Sequence, residues 1–149
     1  MKLTSIAFQN KDKIPKKYGY NNGNVSPPFT ITDIPDTTKS LILIMDDPDA
    51  LPAVGKVWVH WVLFNIPPET KNIFENVIPK NSLEGINDFG EIGYGGPAPP
   101  DKEHLYIFKL YAIDQILELK QGVKKNEIES MIQSSIIEEA LLTGKYHPQ

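Results

Sequence analysis

Thirteen prolines and ten glycines interrupt a chain of 149 residues. Punctuation that dense favours short strands joined by turns and irregular loops over long helices. Between the breaks lie three strongly apolar runs. Ser40 to Met45 reads Ser-Leu-Ile-Leu-Ile-Met and ends on Asp46-Asp47-Pro48-Asp49, the pattern of a buried strand stopped by turn residues. Val57 to Ile66 is β-branched and aromatic, and Pro67-Pro68 stops it; apolar residues on both of its faces predict a central strand. His104 to Ile113 is the third, and it follows a glycine- and proline-dominated loop over Asn87 to Pro100. Lys11 to Phe29, with Pro15, Gly19, Gly23 and Pro27-Pro28, reads as a long irregular segment with Ser26 among its turn residues.

One helical pattern stands out, near the end. Ile128, Met131, Ile132, Ile136 and Ala140 recur at helical spacing and predict a helix over about 127–142, capped by Asn126 and stopped by Gly144. A single helical turn is also expected over Asp114 to Leu119. The fold class is therefore mainly β: an antiparallel β-sandwich of two sheets, a few short peripheral helices and one late helix. Length and the absence of a repeat or linker make residues 1–149 one domain.

Composition removes several functions. With no cysteine, disulfides, thiol nucleophiles and Cys-ligated metals are excluded. All 15 basic residues are lysines against 19 acidic ones. Bidentate arginine recognition of phosphate or guanine is thus absent, and nucleic acid is not an expected partner. No apolar run suits a membrane span or a signal peptide, so a cytoplasmic location is the expectation.

Chemistry must then come from few groups. Of three histidines, His60 lies inside a strand, His104 opens the next one after the Gly/Pro loop, and His147 sits in an exposed tail. His60 reads equally as a functional group and as a core histidine bonded to backbone. Asp46, Asp47 and Asp49 crowd a strand end, where a solvated turn is the commoner explanation. His60, His104 and Asp47 could compose a metal site, but no compact ligand spacing supports one, and no metal or cofactor is expected. No Gly-x-Ser-x-Gly elbow is present, and Gly93-Tyr94-Gly95-Gly96 is followed by no Gly-Lys-Ser/Thr, so neither a serine hydrolase nor a P-loop is indicated. If the loop's backbone holds phosphate, Gly95, Gly96 and Ala98 must supply the N–H donors.

A series of motifs, in order, resembles the phosphatidylethanolamine-binding protein family, which includes the Raf kinase inhibitor protein, and its prokaryotic branch above all. They are Gly23-Asn24-Val25-Ser26-Pro27-Pro28, Asp47-Pro48-Asp49-Ala50, His60-Trp61-Val62-Leu63-Phe64-Asn65-Ile66-Pro67, Asp88-Phe89-Gly90, Gly93 to Pro100 and His104-Leu105-Tyr106-Ile107-Phe108. The resemblance implies a non-enzymatic protein with two antiparallel sheets and a small pocket for phosphate, acetate or a phospholipid headgroup. It implies ligand-binding roles for Asp47, His60, Gly96, Ala98, His104 and Tyr106, and no catalytic residue. It leaves room for a homodimer and for a protease or kinase partner; serine protease inhibition through Pro48 to Ala53 or Gly96 to Lys102 is the alternative function. This chain departs from the family at Leu105, where the pattern has arginine, and at Leu51, inserted before Pro52.

Overall fold

In the computed structural model, which describes all residues from Met1 to Gln149, the three apolar runs lie side by side. They form strands β3 (Ser40–Asp47), β4 (Trp58–Ile66) and β7 (His104–Ile113). With β6 (Leu83–Glu84) and β8 (Ile136–Tyr146) they make a five-stranded antiparallel sheet in the order β6-β4-β3-β7-β8. A second sheet, β1-β2-β5, is built from Lys2–Thr4, Phe29–Thr32 and Asn72–Ile73. The expected two-sheet antiparallel architecture is the observed one.

The alternation of side chains along a strand explains why β3 is apolar throughout. Leu41, Leu43 and Met45 face the small sheet, where they pack with Trp61, Leu63, Tyr106, Phe108 and Leu110. Ile42 and Ile44 face the other way, onto Val62, Phe64, Ile113 and helix α2 (Lys125–Ile132). All of β3 is buried, from Ser40 to Asp47. Its last two residues follow the same alternation. Asp46 faces α2, where Lys125 donates to its Oδ2 at 2.8 Å; Asp47 faces the inner layer.

The late helix is much shorter than the sequence suggests. α2 ends at Ile132, and the residues from Ile136 onward form β8 instead, paired with β7 from His104↔Tyr146 to Ile113↔Ile136. The two periods coincide at Ile136, Ala140 and Gly144, which a helix and a strand would both place on one face. The strand reading is separated by Leu142 and Tyr146, both buried. Hydrogen bonding decides the outcome: β7 is long and buried, and without β8 one whole edge of its N–H and C=O groups would lack partners. Met131 is exposed, and so is Ile136, which a register shift beside Ile113 takes out of phase with Ala140; only Ile128 and Ile132 of the proposed stripe are buried by α2. Asn126 is not the cap; Lys124 holds that position without a side-chain bond. Gly144 is no helix stop either. It lies in β8, where an added Cβ would come within 2.5 Å of Ile14.

The helical turn expected at Asp114 to Leu119 is an irregular loop. Asn65 holds it, donating to Leu117 O at 2.8 Å and accepting from Leu117 N at 2.9 Å. Ser26 lies in the irregular segment as expected but is buried. Two short helical elements follow β3: a 3-10 turn at Pro48–Ala50 and the one-turn helix α1, Leu51–Val54. Proline at the start of each is compatible with the helical φ and removes an N–H that would lack a partner. No helix is long and apolar enough to cross a membrane.

Candidate functional site

A slip in strand pairing shapes the site. Met45 pairs with Trp61, but Asp46 pairs with Val59, so β4 carries one residue more than β3 at His60. Such a bulge turns successive side chains toward the same side of the sheet. Trp61 therefore enters the core between the sheets, while His60 and Trp58 line a cavity of about 130 Å³ at the end of that core. Asp47, Ala98, His104 and Tyr106 line it too, together with Ala50, Ala53, Val54, Phe89 and Pro100.

Five of the six residues singled out in the sequence thus meet at one cavity; Gly96 does not. Its N–H donates to Asn24 Oδ1 at 2.8 Å, and an added Cβ would lie 2.0 Å from Tyr18 O. Gly96 is needed for this close approach between the loop and the segment around Tyr18, and its N–H is not free for a ligand. Gly95 is likewise committed, donating to His60 O at 2.9 Å. Of the three residues expected to offer N–H groups to an anion, only Ala98 lines the cavity, and its backbone is engaged with the Tyr106 hydroxyl.

The two histidines differ in state. His60 donates from Nδ1 to Gly95 O at 2.7 Å. Because a carbonyl only accepts, this bond assigns the proton to Nδ1 and leaves Nε2 as the nitrogen that titrates. Burial lowers the His60 pKa, against weaker opposing effects of the Gly95 carbonyl and Asp47. His60 is a buried, backbone-bonded histidine that also lies on the cavity wall.

His104 is completely buried, yet it is clamped between two carboxylates, Nδ1 on Asp47 Oδ2 and Nε2 on Asp101 Oδ1, each at 2.7 Å. Burial by itself lowers its pKa, but the bonds to Asp47 and Asp101 override that and raise it. Two acceptor-only partners require two N–H donors, so His104 is an imidazolium with neither nitrogen to spare. Asp101, which sequence reasoning did not single out, is held below the usual carboxylate range by the bond from His104.

Trp58 Nε1 has no hydrogen-bond partner, and Asp47 Oδ1 and the Tyr106 hydroxyl make no bond of ideal geometry, although Asp47 and the Ala98 backbone both lie within hydrogen-bonding reach of that hydroxyl. Burial, and then the charge of Asp47, push the Tyr106 phenol well above its ordinary pKa. Tyr106 therefore stays protonated and able to donate. Phe89 closes the wall edge-on to His60 and Trp58, with Tyr20 stacked behind it at 3.9 Å. Asp88 fixes this corner by accepting from Val59 N at 2.7 Å. Asp49 does not reach the cavity; it accepts from Leu105 N at 2.8 Å and so anchors the start of β7 beside His104. His147 lies apart, half-exposed, against Glu103.

The proline-rich segments offer little extended, exposed backbone. Pro48 to Val54 is helical, and Gly95, Gly96, Pro97 and Pro99 are buried. Trp58 and Phe89 were also missed as site residues, although Phe89 stands in one of the motifs that carry the resemblance.

This architecture is that of a two-sheet β protein with a small, aromatic-walled and largely apolar pocket, edged by a few polar side chains, at one end of its core. The chain belongs to the phosphatidylethanolamine-binding protein family, whose model matches residues 4–147. It is 42% identical to a UPF0098 protein of Methanothermobacter thermautotrophicus and 40% identical to one of Chlamydia trachomatis, each match covering 98% of both chains. Among solved structures, a phosphatidylethanolamine-binding protein homolog from Chlamydia trachomatis superposes with a TM-score of 0.93 at 39% identity, covering 99% of this chain and 97% of that one. YbcL of E. coli, described as a member of the mammalian family, superposes at 0.92 with 28% identity, covering 99% and 98%.

Proposed function

We propose that this protein is a non-enzymatic binding protein whose pocket takes a small anionic or phosphorylated ligand. The observation that carries the reading is the cavity's lining, which brings His60, whose Nε2 is free of the Gly95 carbonyl, together with Trp58 and Tyr106 beside the Asp47–His104 pair. The buried Trp58 N–H has no partner, which costs stability, and an oxyanion oxygen that reached it would satisfy it. At about 130 Å³ the cavity is smaller than the roughly 300–1,000 Å³ of drug-sized sites, which suits a free oxyanion or a headgroup and leaves acyl chains outside. His104 serves as an organiser: it aligns Asp47, and its own N–H groups are already taken.

Titration calorimetry with inorganic phosphate and with phosphoethanolamine tests this. Replacing Tyr106 with Phe or His60 with Ala should weaken binding by the worth of a hydrogen bond to a charged group, roughly 1.5–3 kcal/mol. His147→Ala, remote from the cavity, should bind as the parent does. Equal affinities for the parent, Tyr106→Phe and His60→Ala would remove the pocket from consideration.

A further inference from the structure

The outer edge of β8 is covered along only part of its length. Thr143 and Lys145 turn their backbone groups away from β7. The Lys11 N–H donates to Thr143 O, the Ile14 N–H to Lys145 O and the Lys145 N–H to Asp12 O, each at 2.8 Å. Asn10 Oδ1 accepts from Thr143 N at 2.9 Å and ends this covering. Backbone direction alternates along an antiparallel strand, so Leu141 and Glu139 point their N–H and C=O groups the same way. β8 is the last strand of its sheet, and no loop or side chain bonds to these two residues. Both are exposed, whereas Ala140 and Leu142 are buried. Between this edge and β1 lies a groove of about 410 Å³ whose walls include Leu3, Phe8, Ala140 and Leu142.

We propose that this free stretch of β8 docks an extended peptide of a partner protein as a sixth strand, with a basic residue opposite Glu139 and apolar residues opposite Ala140 and Leu141. The site is separate from the pocket and does not depend on how the pocket is read. Unpaired edge groups supply the main-chain bonds of such strand addition, and side chains at alternate positions supply its specificity. The charge requirement follows from the ion pairs nearby. Lys109 and Lys125 are committed to Asp46, and the Met1 ammonium to Glu138; Glu139 has no cation. After burial, Glu139 and Glu129 are what push the neighbouring Tyr111 phenol up to about 12, so this face of the edge is acidic. The residue opposite Ala140 turns the other way, over the apolar groove. A second copy of the chain fits poorly. A two-fold axis at Glu139 sets that carboxylate against itself, and like charges directly opposite are destabilising. An axis at Ala140 puts Ile137 of one copy where Lys11 already pairs with Thr143 of the other.

Amide hydrogen exchange read by NMR on the intact protein tests this, with the blocked peptide Thr-Val-Leu-Lys-Thr as probe. In antiparallel pairing it sets Val against Leu141, Leu over the groove at Ala140, and Lys against Glu139. In the protein alone the Glu139 and Leu141 amides should exchange fast, while those of Ala140 and Leu142, which face β7, are protected. With peptide at about 5 mM the first two should slow at least twofold, the factor being 1 + [peptide]/Kd. Methylating the Val and Lys amide nitrogens, the donors aimed at Leu141 O and Glu139 O, should abolish the slowing. Glu139→Lys should weaken binding of the probe roughly two- to fivefold, and a peptide with Glu in place of Lys should prefer the variant. Slow exchange of the Glu139 and Leu141 amides in the protein alone overturns the proposal: if it is constant the edge is already covered, and if it grows with protein concentration the occupant is a second copy. No slowing by the probe, slowing that survives N-methylation, or equal affinity of both peptides for both proteins overturns it as well.

Discussion

Asp47 and His104 form a fully buried ion pair, Oδ2 to Nδ1 at 2.7 Å, joining the end of β3 to the start of the neighbouring strand β7. A buried charge pair is favourable only when its remaining hydrogen-bonding capacity is used. His104 meets that condition through Asp101, and Asp47 has the Tyr106 hydroxyl within hydrogen-bonding reach.

The state of His104 gives the first prediction. Its folded pKa lies above that of an unfolded histidine despite burial, because of Asp47 and Asp101. Its contribution to stability is therefore complete below the unfolded value of about 6.5 and is lost as pH rises through the higher folded value. Histidine NMR titration should find His104 titrating above an unfolded histidine, and Asp101→Asn should bring its pKa down. An unchanged His104 titration in that variant would mean that Asp101 does not hold the ring in solution.

His60 is predicted to behave in the opposite sense. Burial lowers its folded pKa, so its contribution is present above about pH 6.5 and is lost as pH falls through the lower folded value. A bound anion favours the imidazolium and should move the His60 titration back up. The same NMR series recorded at saturating phosphate measures this. A His60 pKa that ignores phosphate, while phosphate binds, would put the anion elsewhere.

Much of this molecule was legible in its residues, and the gaps have physical causes. β3, β4 and β7 were readable because each is long, β-branched or aromatic, and bounded by proline, glycine or aspartate. The strands of the small sheet run only three, four and two residues, too short for a period to show. β8 was hidden because Ile136, Ala140 and Gly144 satisfy both periods, and only pairing with β7 resolves them. At the site, Asp47, His60 and His104 were candidates by residue type and place in the chain and Ala98 as a loop donor, while Tyr106 came from motif resemblance alone. Gly96 was misplaced because backbone N–H partners depend on tertiary neighbours, here Asn24 from a segment more than seventy residues away. Trp58 enters the cavity only because the bulge at His60 sets the phase of the strand.

The corrected helix makes a graded prediction. Ile128 is completely buried beneath α2, whereas Met131, one turn away, is 40% exposed. Ile128→Ala should cost about 2–5 kcal/mol, and Met131→Ala should stay within about 0.5 kcal/mol of the parent. Urea midpoints measure both, and similar losses for the two would restore the longer helical stripe.

Gly144 supplies the last prediction, since it separates the strand from the helix stop once expected there. In β8 an added Cβ would come within 2.5 Å of Ile14 Cγ1 and 2.9 Å of Phe8 Cε2. Overpacking of this kind costs about 1–3 kcal/mol, so Gly144→Ala should be destabilising even though alanine suits an extended backbone better than glycine does. The penalty should shrink when Ile14 is changed to Val or Ala in the same chain, because the collision is with that side chain. A double-mutant cycle read by urea unfolding isolates this coupling. Zero coupling between positions 14 and 144 would mean that Ile14 does not cover β8 in solution, and with it would go the packing of the N-terminal segment onto the edge of the large sheet.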